Sequence, residues 1–130
     1  PYSPGDRQVE QQASQIRLAE ALATVHAARL VWEDAIEQVT ATYRSGGTIS
    51  RHERGRLRLA TAYTVRQSLH AVSIIVEGAG ASVHFTDSEI GRIHRDLVTL
   101  KGHVVYDWDR AAQLAGKIEA GIDPLVTDML

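Results

Sequence analysis

The sequence predicts an all-α protein, an antiparallel four-helix bundle formed by residues 1–130 as a single domain. Three observations carry that expectation. The three prolines, at positions 1, 4 and 124, leave a long interior free of the strongest helix breaker. Apolar residues recur at steps of three and four, the period of a helix buried along one side. Capping motifs and glycines interrupt that period at only a few places.

Each element follows from those signals. Ser3-Pro4-Gly5-Asp6 reads as a helix start, with a capping serine, proline at the first position and an acid beyond it. Leu18, Leu22, Val25, Trp32, Ile36, Val39 and Tyr43 then form one apolar stripe. Ala21, Ala28, Val31 and Ala35 run beside it, so the first helix is expected to be buried against more than one neighbour. Gly46-Gly47 ends it. The second helix opens on the capping box Ser50-Arg51-His52-Glu53. It continues through Leu59, Ala62, Val65, Leu69, Val72 and Val76 to the small-residue exit Gly78-Ala79-Gly80. A short third helix follows Ser88, with Ile90, Ile93, Leu97 and Leu100 inward. A fourth carries Val104, Trp108, Ala111, Ala115 and Ile118. Val83-His84-Phe85 is strand-like but too short to matter. The first two helices, roughly 30 to 40 residues each at ~1.5 Å per residue, exceed what a lone small domain needs and suggest packing against something outside this chain.

Composition removes several function classes. Without cysteine there are no disulfides, thiolate metal sites or thiol nucleophiles. A formal net charge of −2 gives no general attraction to nucleic acid or to an anionic membrane. The arginines between Arg51 and Arg58 are interrupted by Glu53 and spread around a helix, as a solvated face does. No apolar run approaches the ~20 residues of a membrane span, and the N-terminal residues lack the pattern of a signal peptide. A cytoplasmic protein is expected.

Local motifs need weighing. His94-Arg95-Asp96-Leu97 matches the start of a kinase catalytic loop, but Lys101 stands where that loop keeps asparagine, and no phosphate loop accompanies it. Gly78-Ala79-Gly80 follows a helix and lacks a third glycine, so it is no dinucleotide fingerprint. As a sharp helix exit it would let a backbone or ligand come close. The six histidines show neither the Glu-x-x-His pairs of a di-iron bundle nor zinc-peptidase spacing, and no metal is expected. Arg92 and Arg95 share a helical face, with Asp96 alongside, which suits an ion-pair network fixing a short helix. Two helical turns beyond Asp96, His103 would project from nearly the same side, and histidine is the side chain suited to proton exchange near neutral pH.

Taken in order, these segments resemble one family domain: the C-terminal domain of the acyl-CoA dehydrogenase-fold flavoenzymes, in the variant of two-component flavin-dependent monooxygenases. The resemblance runs through Arg17-Leu18-Ala19-Glu20-Ala21 and Ala27-Ala28-Arg29 in the first helix. It continues through Arg54 to Ala62 and the exit Gly78-Ala79-Gly80-Ala81-Ser82. Ser88-Glu89-Ile90-Gly91-Arg92-Ile93-His94-Arg95-Asp96 then stands where the family reads Ser-Pro-Leu-x-Arg-x-x-Arg-Asp. Glu89 in place of proline and Gly91 within the motif are departures, and both loosen the match around the short helix. His103 occupies the place of a family histidine at the start of a last long helix, where the dehydrogenases proper often keep a catalytic glutamate.

The resemblance implies an intact enzyme with a helical N-terminal domain, a middle β-domain and this bundle, with flavin (FMN or FAD) between the last two. It implies His103 as the acid/base group, Gly78 and Gly80 as backbone approaching the flavin, and Arg92 as a partner of its phosphate. It further implies a homo-oligomer, a tetramer, built through the bundle, a flavin reductase as partner, and a small organic, often aromatic, substrate. The bundle alone is not expected to catalyse. Two alternatives stand beside this reading: an acyl-CoA dehydrogenase domain using another base, and a non-enzymatic helical oligomerisation or partner-binding module.

Overall fold

The computed structural model describes residues 7–125 and Asp128. Four α-helices span α1 (Gln12–Arg44), α2 (Arg51–Ala79), α3 (Glu89–Lys101) and α4 (Trp108–Glu119), with short 3-10 turns at Gln8–Glu10, Ala81–His84 and Val104–Tyr106. The described residues contain no strand, and Val83 and His84 lie in a 3-10 turn. The helix start expected at Ser3-Pro4-Gly5-Asp6 lies outside the described residues.

Each boundary has a local cause. After α1 the chain reverses at Gly46, whose φ of 73° suits a residue without a Cβ. The capping box of α2 forms in full: the Ser50 hydroxyl accepts from Glu53 N–H at 3.2 Å, and Glu53 Oε2 accepts from Ser50 N–H at 2.7 Å. At the other end α2 stops where Gly80 turns to φ 75°. Ser88 caps α3 through Gly91 N–H at 3.1 Å, and Asp107 caps α4 through Arg110 N–H at 3.0 Å.

The central element is α2, which packs against each of the other three helices. The contacts of α1 and the 3-10 turn before it run along α2 in opposite order: Thr42 with Glu53, then Ala28 near Thr64, then Gln8 with Gly78. Along another side, His94 of α3 meets Ser73, Trp108 meets Tyr63, and the Ile118 side chain of α4 fills the space a Cβ on Gly55 would take. So α3 and α4 lie nearly end to end, both antiparallel to α2, and together cover about its length.

The first helix faces inward with its small residues. Ala21, Ala28 and Ala35, seven apart, are buried against α2, and Ala71 and Ile74 complete that contact. The larger stripe is exposed within this chain: Leu22 is 61% exposed and Tyr43 67%, with Leu18, Val25, Trp32 and Ile36 also open. Alanine at heptad spacing lets two helix backbones approach closely, and the bulky residues are then left on the far side. Leu100 and Val104, expected inward, are exposed as well. No helix among the described residues is long and apolar enough to cross a membrane.

Candidate functional site

The segment between α3 and α4 holds the expected acid/base residue. The fourth helix is short, 12 residues, and His103 precedes it by a 3-10 turn. The two-turn arithmetic from Asp96 therefore does not hold, because α3 ends at Lys101 and Gly102 breaks the helical run. His103 caps the Val104–Tyr106 turn with its own ring: Nδ1 accepts from Val105 N–H at 3.2 Å. Tyr106 returns its N–H to the His103 carbonyl at 2.8 Å, and its ring lies 5.8 Å from the imidazole. The side chain of His103 is exposed, so its outer nitrogen, Nε2, is open to whatever packs on this face.

From below, α2 anchors this turn. Arg58 Nη1 donates to the Val105 carbonyl at 2.9 Å, across 47 residues of sequence. Arg58 Nε is buried and has no partner. Beside the turn, Trp108 packs against Tyr63 at 6.3 Å, and the Arg66 guanidinium sits 4.6 Å from the Trp108 ring centre. Neither Arg58 nor Trp108 stood out in the sequence as a site residue. A capping histidine two residues before the bonded N–H was the one local signal available, since side-chain caps hide in ordinary composition.

The other expected residues lie at the opposite end of α3. Gly80 leaves α2 in a left-handed conformation, with nothing within 4 Å of where a Cβ would stand. Gly78 is turned toward α1: its carbonyl accepts from Gln8 Nε2 at 2.9 Å, and Arg17 Cδ lies 3.0 Å from the Cβ position. Arg92 pairs with Asp96 at 3.3 Å on an exposed face, so Asp96 takes Arg92 rather than Arg95 as its partner. Arg92 lies near the start of α3 and His103 beyond its end, roughly 15 Å apart, the rise of about ten helical residues. Among the described residues no three His, Asp or Glu side chains converge as metal ligands would.

A separate cleft of about 300 Å³ opens between α1 and α2, lined by Val31, Ala35, Leu57, Ala60, Tyr63 and Trp108, with Glu53 among its polar residues. Glu53 is held at about 2, far below the ordinary glutamate range, by the Ser50 side chain, the Ser50 backbone N–H and the Thr42 hydroxyl. Its work is capping: a carboxylate that accepts from the Ser50 N–H and the Thr42 hydroxyl is committed to the structure.

The sequence matches the family described as acyl-CoA dehydrogenase, C-terminal domain, over residues 2–108, and the chain belongs to that family. It is 30% identical over 118 residues to a pigment production hydroxylase of Rhodococcus sp. (strain ATCC 21145), covering 88% of this chain and 30% of that protein. It is 31% identical over 114 residues to the oxygenase component of p-hydroxyphenylacetate 3-hydroxylase from Acinetobacter baumannii, covering 84% of this chain and 26% of that one. The chain therefore spans less than a third of the length of either relative. Among solved structures, XiaF from Streptomyces sp., in complex with FADH2 and glycerol, superposes with a TM-score of 0.89 at 19% identity, over 98% of this chain and 33% of its own. That likeness establishes the shared fold.

Proposed function

We propose that this chain is the flavin-facing and oligomer-forming bundle of a flavin-dependent monooxygenase that hydroxylates a small organic, often aromatic, substrate. The observation that carries this reading is the pair of relatives at 30% identity or above, both hydroxylases, matched along most of this chain. It is a reading of the whole enzyme, in which further domains would complete the pocket.

The residues at hand suit a flavin. Gly80 offers uncovered backbone, and Arg92 an exposed guanidinium able to meet a phosphate with paired N–H donors. Gly78 would act through the same exit, with its carbonyl held by Gln8. Bound reduced flavin, FMN or FAD, would supply the electrons that activate oxygen. The chain itself contributes an exposed imidazole at the far end of α3, where His103 would hold or pass a proton at the reacting oxygen. A reductase would deliver the reduced flavin. The exposed stripe of α1, from Leu18 to Tyr43, would meet other copies of the bundle in a tetramer, and the cytoplasm is the compartment that supplies such a reductase.

The test uses the natural polypeptide that carries this chain, supplied with chemically reduced flavin, ¹⁸O₂ and a panel of phenols. Incorporation of one labelled oxygen into a product supports the reading. Flavin binding with electron transfer to or from acyl-CoA thioesters and no labelled product would assign a dehydrogenase. Absence of flavin binding would leave a helical assembly module. His103→Ala should cut hydroxylation by about 10²-fold or more and leave assembly and flavin affinity unchanged.

A further inference from the structure

We infer that Arg58 is a positioning residue: through Val105 it fixes the turn in which His103 presents Nε2–H, so that neutral His103 acts as a hydrogen-bond donor. This rests on the reading of His103 as the residue that meets the reacting oxygen, and it deepens that reading.

The argument runs from one peptide unit to the next. A neutral imidazole has one nitrogen that donates and one that accepts. Val105 N–H already donates to His103 Nδ1 at 3.2 Å, so Nδ1 is the acceptor and the ring proton stands on Nε2. The bond that fixes the tautomer comes from the backbone, and a backbone donor cannot reverse its role. Using Nε2 as a base would require the proton to move to Nδ1, where it would collide with the Val105 N–H. The neutral ring thus holds its proton on Nε2, where it faces an oxygen atom as a donor.

That arrangement depends on Val105 staying in place, and it lies in a three-residue 3-10 turn between two helix ends. Such a turn has poor hydrogen-bond geometry of its own. The same residue's carbonyl is tied to α2 by Arg58 Nη1 at 2.9 Å. Arg58 makes this bond at a cost, because its Nε is buried without an acceptor. A residue that served only solubility would reach water with all its donors. One that locks the turn from beneath has to be drawn under it.

The test is made in the full natural polypeptide, ring-¹⁵N-labelled at histidine, with Arg58→Met and Arg58→Lys variants. Solid-state ¹⁵N spectra, with the His103 signal identified by its loss in His103→Gln, read the tautomer directly. The native protein is expected to show an unprotonated Nδ1 and a protonated Nε2. In Arg58→Met the two tautomers should mix, and kcat should fall on the order of tenfold or more, as for a displaced catalytic group, with KM within about twofold. Arg58→Lys, which restores one donor, should recover most of both. A native spectrum with the proton on Nδ1 overturns the inference even if no variant folds. A folded Arg58→Met with native tautomer and native kcat overturns it too. If His103→Ala keeps full turnover, the role of His103 falls, while the Arg58→Met spectrum still decides whether Arg58 sets the ring.

Discussion

Replacing Gly91 with alanine is expected to destabilise the protein, although alanine is the better helix former. Gly91 is buried in the first turn of α3, where its N–H is held by the Ser88 hydroxyl at 3.1 Å. A Cβ there would overlap the carbonyl oxygen of Val83, a backbone atom of a 3-10 turn whose own side chain is only 3% exposed. Neither partner is the free end of a flexible side chain, so the helix or the turn must shift. Overpacking of that kind costs about 1–3 kcal/mol, and the backbone clash places it at the upper end. Helix propensity returns about 1 kcal/mol, which leaves a net loss of about 2 kcal/mol. For a chain of this size that lowers the melting midpoint by roughly 5–10 °C. Gly116 provides the control: it lies exposed within α4, with nothing within 4 Å of its Cβ position. Gly116→Ala should raise the midpoint by a few degrees, worth up to about 1 kcal/mol. Thermal unfolding followed by circular dichroism compares the two. If Gly91→Ala melts at or above the parent, the close approach of α3 to the Val83 turn is not what the structure says it is.

Other expectations follow from the same geometry. Gly55→Ala places a Cβ 2.6 Å from Ile118 Cδ1, the movable tip of a side chain, so its loss should stay near 1 kcal/mol and be largely relieved by Ile118→Val. The Glu53 carboxylate, lowered from 4.5 to about 2, contributes stability that is fully present above pH 4.5 and lost as pH falls toward 2. Glu53→Gln should therefore flatten the acid side of a stability–pH curve and leave the region above pH 6 with the smaller pH slope of the parent. Leu22→Lys combined with Ile36→Glu alters residues 61% and 42% exposed. It should leave helix content intact within about 0.5 kcal/mol per site but shift the sedimentation coefficient to a smaller species; an unchanged coefficient would remove α1 from the subunit interface.

The helix boundaries were legible in the sequence because their causes are local. The Ser50–Glu53 box, the reversal at Gly46 and the exit at Gly80 each need only a few adjacent residues. The inward face of α1 was not legible. Periodicity shows that both the Leu22 stripe and the Ala28 edge are apolar, but not which one meets its own chain and which a neighbour. The alanines won because they permit a closer crossing with α2, and size alone would have chosen the other side. Gly91 looked like a departure from the family pattern, and its reason lies eight residues away, at a carbonyl that no local rule indicates. His103 was singled out by its place in the order of motifs, but its setting was misjudged: the turn Val104–Tyr106 separates Gly102, which ends α3, from Asp107, which caps α4. Arg58 was invisible, because its meaning comes from a contact 47 residues distant.

Among the described residues, eight of the twelve buried apolar ones are alanine, and no large side chain is fully enclosed. An interior so poor in volume holds the helices in register without supplying much cohesion, since each buried alanine removes far less surface from water than a leucine does. The larger apolar residues of α1, from Leu18 to Tyr43, point away from this interior. Were copies of the bundle to meet along α1, as proposed, association would add to the stability of each, and the melting midpoint would rise with protein concentration. Substitutions along α1 would then weaken that concentration dependence while leaving the helices formed.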